Sequence, residues 1–275
     1  RYATAHAPIP PAPRFHLASE LNRLTDAISK MRRELEDRAY VTRYIETLTH
    51  ELKSPLTAIS TSAELLQDDL PAADRARFAA NIAQQSTRLH RLVQRLLQLS
   101  RIEKEPVRKQ PLDLAALWRK QQREQQPRLA QKNLALRLIH NGNAADDSAA
   151  IQLRADPFWL EQALTNLLDN AVKYTPSGGH ITLTAEQRGE NIHVSVGDNG
   201  HGIPPDKRDE VLKRFVRLDS ARSTPGNGLG LSLVSAIVAL HNGSLTLHDN
   251  KPGLRIQITL PTETAYLRRQ HESQY

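Results

Sequence analysis

From Glu20 onward, apolar residues recur at alternating spacings of three and four through Leu21, Leu24, Ile28, Met31 and Leu35, the seam of a parallel coiled coil. A second seam runs through Val41, Ile45, Leu48, Leu52, Ile59 and Leu66, its a-positions offset from Leu35 by a seven plus a three. Such a stammer overwinds a coil locally, so it either transmits strain from upstream or simply breaks register between two modules. Asp68-Asp69-Leu70-Pro71 stops this helix, and another follows with Phe78, Ile82, Leu89, Leu92, Leu96 and Leu99 on one face. One αα-hairpin cannot bury two wide apolar stripes, whereas two copies make a four-helix bundle, so the pattern predicts a homodimer.

Beyond Lys104-Glu105-Pro106 the pattern changes to mixed helix and strand, with period-two runs at Ile181–Ala185 and Ile192–Val196. The predicted architecture is multidomain. Residues 1–19, rich in Pro and Ala, are a linker or the remnant of a preceding module; 20–40 form a signalling coiled coil, and 41–105 an all-α hairpin that dimerises as a four-helix bundle. Residues 110–261 form an α/β domain and 262–275 a tail, with 141–150 expected as a loop.

Composition narrows the function classes. The net charge of +7 admits nucleic acid, anionic lipid or an acidic protein as partner. The basic residues are spread along helical faces and aromatics make up only 4% of the chain, so stacking platforms for single strands are lacking and no nucleic acid is expected. With no Cys there is no thiolate nucleophile and no cysteine metal cluster, which suits a reducing cytosol. The longest apolar stretch, Leu231–Leu240, is too short for a membrane span and carries two serines. The chain starts at Arg1 without a signal-peptide pattern, so any membrane anchor or sensor is expected upstream.

In the second seam His50 takes the f position and faces water. A lone exposed His is ordinarily a surface residue, but its neighbours bear on chemistry. Glu51 adjoins it and could accept a proton from, or orient, one imidazole nitrogen, leaving the other as a nucleophile. Pro55 lacks an amide proton and clashes with the carbonyl of Glu51, which predicts a kink or loosening of the helix beside His50.

A second group lies further on. Asn166, Asn170 and Lys173 fall at i, i+4 and i+7 on one helical stripe, opposite Leu164, Leu167, Leu168 and Ala171. Amide oxygens suit a hard Mg²⁺ bridged by phosphates, and the ammonium adds a point charge for them; capping or surface polarity would leave the same stripe. Asp198 follows Ile192, Val194 and Val196 at period two, so its carboxylate points to their buried face. The glycines of Asp198-Asn199-Gly200-His201-Gly202 allow close approach of a ligand, and a carboxylate there can read the exocyclic amine of adenine. Gly226-Asn227-Gly228-Leu229-Gly230 precedes an apolar helix and could cradle phosphate at its N-terminus. No lysine follows in the Walker pattern and no strand ends directly in the loop, so neither a P-loop nor a dinucleotide fold is favoured.

Two sets of residues carry a family resemblance. Thr49-His50-Glu51-Leu52-Lys53-Ser54-Pro55-Leu56 resembles the H-box of two-component sensor histidine kinases. The later segments resemble, in order, the N, G1, F and G2 boxes of the Bergerat-fold ATPase domain, an α/β sandwich. The resemblance implies that His50 is the phospho-acceptor and that Ser54, where Thr or Asn is usual, positions water for dephosphorylating a partner. It implies Asn170 as the Mg²⁺ ligand with Asn166 assisting, Lys173 on phosphate, Tyr174 against adenine and Asp198 reading the base. Phe215 and Arg217 match the F-box, Asp219–Pro225 would be a lid, and Arg217 or Arg222 would be available to the γ-phosphate. Gly200, Gly202, Gly226, Gly228, Leu229 and Gly230 complete the nucleotide site.

By the same resemblance the cofactors are ATP and Mg²⁺, the partners are a second copy of the chain and a response-regulator receiver domain, and the chain is the cytoplasmic portion of an inner-membrane protein. Leu21–Leu35 resembles the second helix of a HAMP relay, and the run Tyr44–Pro55 is similar to CreC-type sensor kinases. Two rivals remain: a degenerate nucleotide-binding scaffold, which the intact His50, Asn170 and Asp198 oppose, and a Bergerat chaperone or topology ATPase, which leaves the hairpin unexplained.

Overall fold

The computed structural model describes residues 42, 45–104, 106–141, 143–144, 151–218 and 227–262. The coiled coil of 20–40, its stammer, the linker 1–19 and the tail beyond 262 lie outside these residues.

Helix α1 runs through residues 45–65 and turns back into α2, Ala72–Lys104. The turn closes through Gln67 N–H to Glu64 C=O at 3.0 Å and Asp68 N–H to Leu65 C=O at 3.2 Å, and Pro71, which cannot continue a helix, stands one residue before α2. Two side-chain contacts set the register of this hairpin: Asn81 Nδ2 donates to the buried Ser62 hydroxyl at 2.9 Å, and Arg88 Nη2 to Glu51 Oε2 at 3.2 Å. The helix is unbroken across Pro55, whose ring is buried. A proline removes one intrahelical hydrogen bond, from the Glu51 carbonyl, and the neighbouring bonds carry the helix past it.

After α2 come β1, Gln110–Asp113; α3, Leu114–Gln131; β2, Ala135–His140; β3, Asn143–Ala144; β4, Gln152–Ala155; α4, Pro157–Tyr174; β5, His180–Arg188; β6, Asn191–Asp198; α5, Gly230–Leu240; β7, Ser244–Asp249; and β8, Leu254–Pro261. The main sheet has the order β3-β2-β5-β6-β8-β7, and β1 pairs with β4 apart from it. Only the β2–β5 pair is parallel in the main sheet. Part of the stretch 141–150 is thus strand rather than loop: β3 pairs with β2 through two residues, too few to carry a hydrophobic period.

Burial alternates along β5 and most of β8, whereas β6 is buried on both faces over its last five residues. Ile181, Leu183 and Ala185 on β5, Ile192, Val194 and Val196 on β6, and Ile256, Ile258 and Leu260 on β8 are buried, and α3, α4 and α5 pack against the sheet. The starts of α3 and α4 are each fixed by an aspartate. Asp113 Oδ1 accepts from Ala115 N–H and Ile151 N–H, both at 3.0 Å, and Asp156 Oδ1 from Phe158 and Trp159 N–H, with Pro157 at the first helical position. Leu92, Leu99 and Ile102 of α2 are buried in the same apolar core, so the far end of the hairpin is packed onto the α/β domain.

His241 ties two of these helices together. At the C-terminus of α5, its Nδ1–H donates to Ile237 C=O at 2.8 Å and its Nε2 accepts from Asp156 N–H at 2.9 Å. Burial holds its pKa below the ordinary value and nearby Lys109 adds to this, outweighing the Ile237 bond and the Asp156 charge. Since the folded value lies below the unfolded one, the folded chain binds fewer protons; stability is complete above about pH 6.5 and falls as the pH drops through the lowered value. Urea unfolding from pH 8 to pH 5 should show this loss, and His241→Ala should flatten that part of the profile while costing about 2 kcal/mol at pH 8 from the two lost bonds.

Candidate functional site

The α4 stripe faces a cavity. Its walls bring together Asn166, Asn170, Lys173 and Tyr174 of α4, Asp198 of β6, Gly202, Arg217 and Val216, and Asn227, Gly228 and Gly230 before and at the start of α5. Asn166 is buried and its Nδ2 donates to Gln162 C=O at 2.8 Å, which turns its Oδ1 away from the helix backbone. A Cβ added to Gly230 would stand 3.5 Å from that Oδ1 and 3.7 Å from Asn170 Nδ2, so the glycine start of α5 lies against both amides. Lys173 Nζ donates to Tyr174 Oη at 2.8 Å and sits 4.5 Å from the centre of that ring, while Tyr174 makes an edge contact with His201.

The C-terminal end of α4 is held from outside. Lys132 Nζ donates to the carbonyls of Val172, Lys173 and Thr175 at 2.8, 3.2 and 2.7 Å. An ammonium satisfying the last carbonyls of a helix also neutralises its negative dipole end, so the turn bearing Lys173 and Tyr174 is fixed.

Asp198 is buried at the end of β6, and both donors reaching it bind Oδ1: Gly200 N–H at 2.8 Å and Leu254 N–H at 3.3 Å. Burial raises its pKa above the usual carboxylate value, against the lowering effect of those two bonds and of His201. A Cβ at Gly200 would come within 2.5 Å of the Tyr174 carbonyl, so this turn packs directly on the end of α4. Val196, Ile203, Leu254 and Ile256 line the same cavity as Asp198 and give it an apolar portion. Asn250 Nδ2 bonds the Asp198 carbonyl at 2.8 Å, and a Cβ on Gly253 would stand 1.9 Å from it. Sequence reasoning missed both residues, because their meeting with Asp198 joins segments about fifty positions apart.

The expected lid, 219–225, lies outside the described residues, and the segments flanking it are described. Phe215 N–H donates to Gly228 C=O at 2.9 Å, joining the two sides of the segment 219–226. Gly228 has φ +65 and a Cβ there would meet the Phe215 carbonyl carbon at 2.6 Å, so only glycine fits. Phe215 itself has φ 63, a left-handed conformation that costs an aromatic residue about 1–2 kcal/mol. Leu229 is fully buried. Arg222 and Gly226 lie outside the described residues.

On the hairpin, His50 and Ser54 are both exposed and, four residues apart on a helix, share a face. Among the described residues the partner of the Glu51 carboxylate is Arg88, not the neighbouring imidazole. Consecutive helical residues point about 100° apart, which accounts for the difference from the expected orienting contact.

Residues 41–105 match the His Kinase A phospho-acceptor domain, and residues 155–264 match the histidine kinase-, DNA gyrase B- and HSP90-like ATPase domain. With the hairpin and the cavity described above, these matches define a class: the chain belongs to the two-component sensor histidine kinases. It is 39% identical over 255 residues to the sensor protein CreC of Escherichia coli, covering 92% of this chain and 52% of that one. It is 35% identical over 250 residues to the histidine-protein kinase/phosphatase MprB of Mycobacterium leprae, covering 86% and 46%. Among solved structures, full-length ShkA in complex with AMPPNP superposes with TM-score 0.59 at 27% identity, covering 80% of this chain and 46% of that one. The chain spans about half the length of the curated relatives it matches. Among the described residues no helix is long and apolar enough to cross a membrane.

Proposed function

We propose that the chain autophosphorylates His50 from Mg-ATP and passes the phosphoryl group to an aspartate of a separate response regulator. The observation that carries this is that one helix joins the hairpin bearing an exposed imidazole to the cavity lined by the α4 amides and Asp198: α2 meets Glu51 through Arg88 and lines the cavity through Arg95. Those positions are seven residues apart, about 10 Å along the helix axis.

Asp198 accepts the exocyclic amine of adenine through the oxygen not used by Gly200 and Leu254, in that cavity. Lys173 meets the phosphates, Arg217 or Arg222 reaches the γ-phosphate, and Gly226 belongs to the glycine loop that cradles them. Mg²⁺ fits the donors: two amide oxygens beside a glycine helix start, and among the described residues no cluster of acids or histidines that would favour another metal. Asn170, assisted by Asn166, would hold the ion, which when bound neutralises charge on the β- and γ-phosphates. An imidazole nitrogen of His50 attacks the γ-phosphorus in line, the bond to the bridging oxygen breaks, and ADP leaves with that electron pair. Glu51, one residue from His50, takes the imidazole proton in this reading, and Ser54 orients water when the partner is dephosphorylated.

The hairpin leaves Ile45, Leu56, Val93 and Leu97 between 40% and 55% exposed, more apolar surface than a lone hairpin keeps, which supports a homodimeric four-helix bundle. The domain limits 41–105 and 110–261, a preceding HAMP-like relay, and a cytoplasmic site on a membrane-anchored protein belong to the same reading. Incubation with γ-labelled ATP, followed by mass spectrometry at neutral pH, should map an acid-labile, alkali-stable phosphoryl group to the hairpin. A chain that binds ATP yet gains no such label is a scaffold.

A further inference from the structure

Resting on that reading, we infer that Arg95, a residue of the bundle helix and not of the ATPase domain, binds the polyphosphate of the nucleotide. Gln98 Nε2 donates to Gln162 Oε1 at 2.9 Å, which lays α2 alongside α4. One turn back along α2 from Gln98, and one to two turns on along α4 from Gln162, Arg95 lines the cavity together with Asn166, Asp169 and Asn170. The buried Leu92 and Leu99 flank it on the same helix and fix that helix against the core, so packing determines where the guanidinium lies.

The local charges call for an anion. Burial disfavours the protonated guanidinium of Arg95 and Arg91 adds to this, while the Asp169 carboxylate opposes them. Asp169 is already committed, its Oδ1 accepting from Gln125 Nε2 at 3.2 Å and from Arg128 Nη1. A partly desolvated guanidinium facing two amides and a cavity is well matched to phosphate oxygens, which it can grip with two parallel N–H bonds. Arg95 lines the same cavity as the α4 amides, which the proposed function assigns to Mg²⁺ and phosphate, so the polyphosphate is the part of the nucleotide assigned to it. Arg95 then links the bound nucleotide to the helix whose Arg88 contacts Glu51, one residue from the acceptor.

The test is calorimetric titration of the intact chain, Arg95→Gln and Arg95→Lys with a non-hydrolysable ATP analogue, ADP and AMP. Arg95→Gln is expected to weaken the ATP analogue by about 10-fold or more and AMP by less than about 2-fold, with Arg95→Lys between wild type and Gln for ATP. Equal weakening of all three ligands would mean that Arg95 only supports the fold, and unchanged ATP binding would mean that it does not reach the phosphates; either overturns the inference. A wild-type chain that binds none of the three removes the nucleotide reading itself, a result distinct from both.

Discussion

Replacing His50 with Gln is expected to reduce phosphoryl incorporation from γ-labelled ATP by at least about 100-fold while leaving ATP affinity within about 2-fold of wild type. The imidazole is exposed and the helix around it is held by other contacts, such as the Thr49 hydroxyl on the Ile45 carbonyl at 2.8 Å. Gln is a good helix former, so the hairpin and the Arg88–Glu51 pair should survive the change. The nucleotide cavity contains no part of residue 50 and should be untouched. Wild-type labelling in His50→Gln, for instance on the exposed His90 of α2, would relocate the acceptor and sink the assignment.

The second large effect is expected at Asp198, where stability and binding should move in opposite directions. Asp198→Asn keeps an oxygen for the Gly200 and Leu254 amides but sets an amide donor where adenine presents another. Donor facing donor in a buried slot costs about 2–3 kcal/mol, a loss of roughly 30- to 150-fold in ATP affinity. The fold itself should gain slightly at neutral pH. The carboxylate's folded pKa is raised by burial, so its charged form is a liability above that value, and wild-type stability from this group is recovered only as the pH falls toward the unfolded value of about 3.8. Thermal unfolding at pH 7 with ATP titration on the same samples reads both effects; a variant that binds ATP normally would remove Asp198 from base recognition.

Much of this was legible along the chain because it is periodic. The hairpin follows from the 3.6-residue spacing of Leu92 and Leu99, and the cavity-facing stripe Asn166, Asn170 and Lys173 from the same geometry. Asp198 was expected to be buried from the period-two run Ile192, Val194 and Val196, and it is, in a stretch of β6 that is buried on both faces. What the sequence could not supply was contact between distant segments. Nothing local marks Lys132 as the cap of α4, Asn250 as a partner of Asp198, or Arg95 as a neighbour of Asp169 across a domain boundary. The Glu51 contact with Arg88 was hidden for the same reason: the two residues are 37 positions apart and meet only when the hairpin closes.

The openness of the acceptor position has a kinetic corollary. A phosphoryl group on the water-facing nitrogen of His50 would have no wall to shelter it, so bulk solvent and a docking protein would compete for it on equal terms of access. If His50 is the acceptor, as proposed, such a site would favour rapid hand-over over storage, and the persistence of the signal would depend on how abundant the receiving protein is.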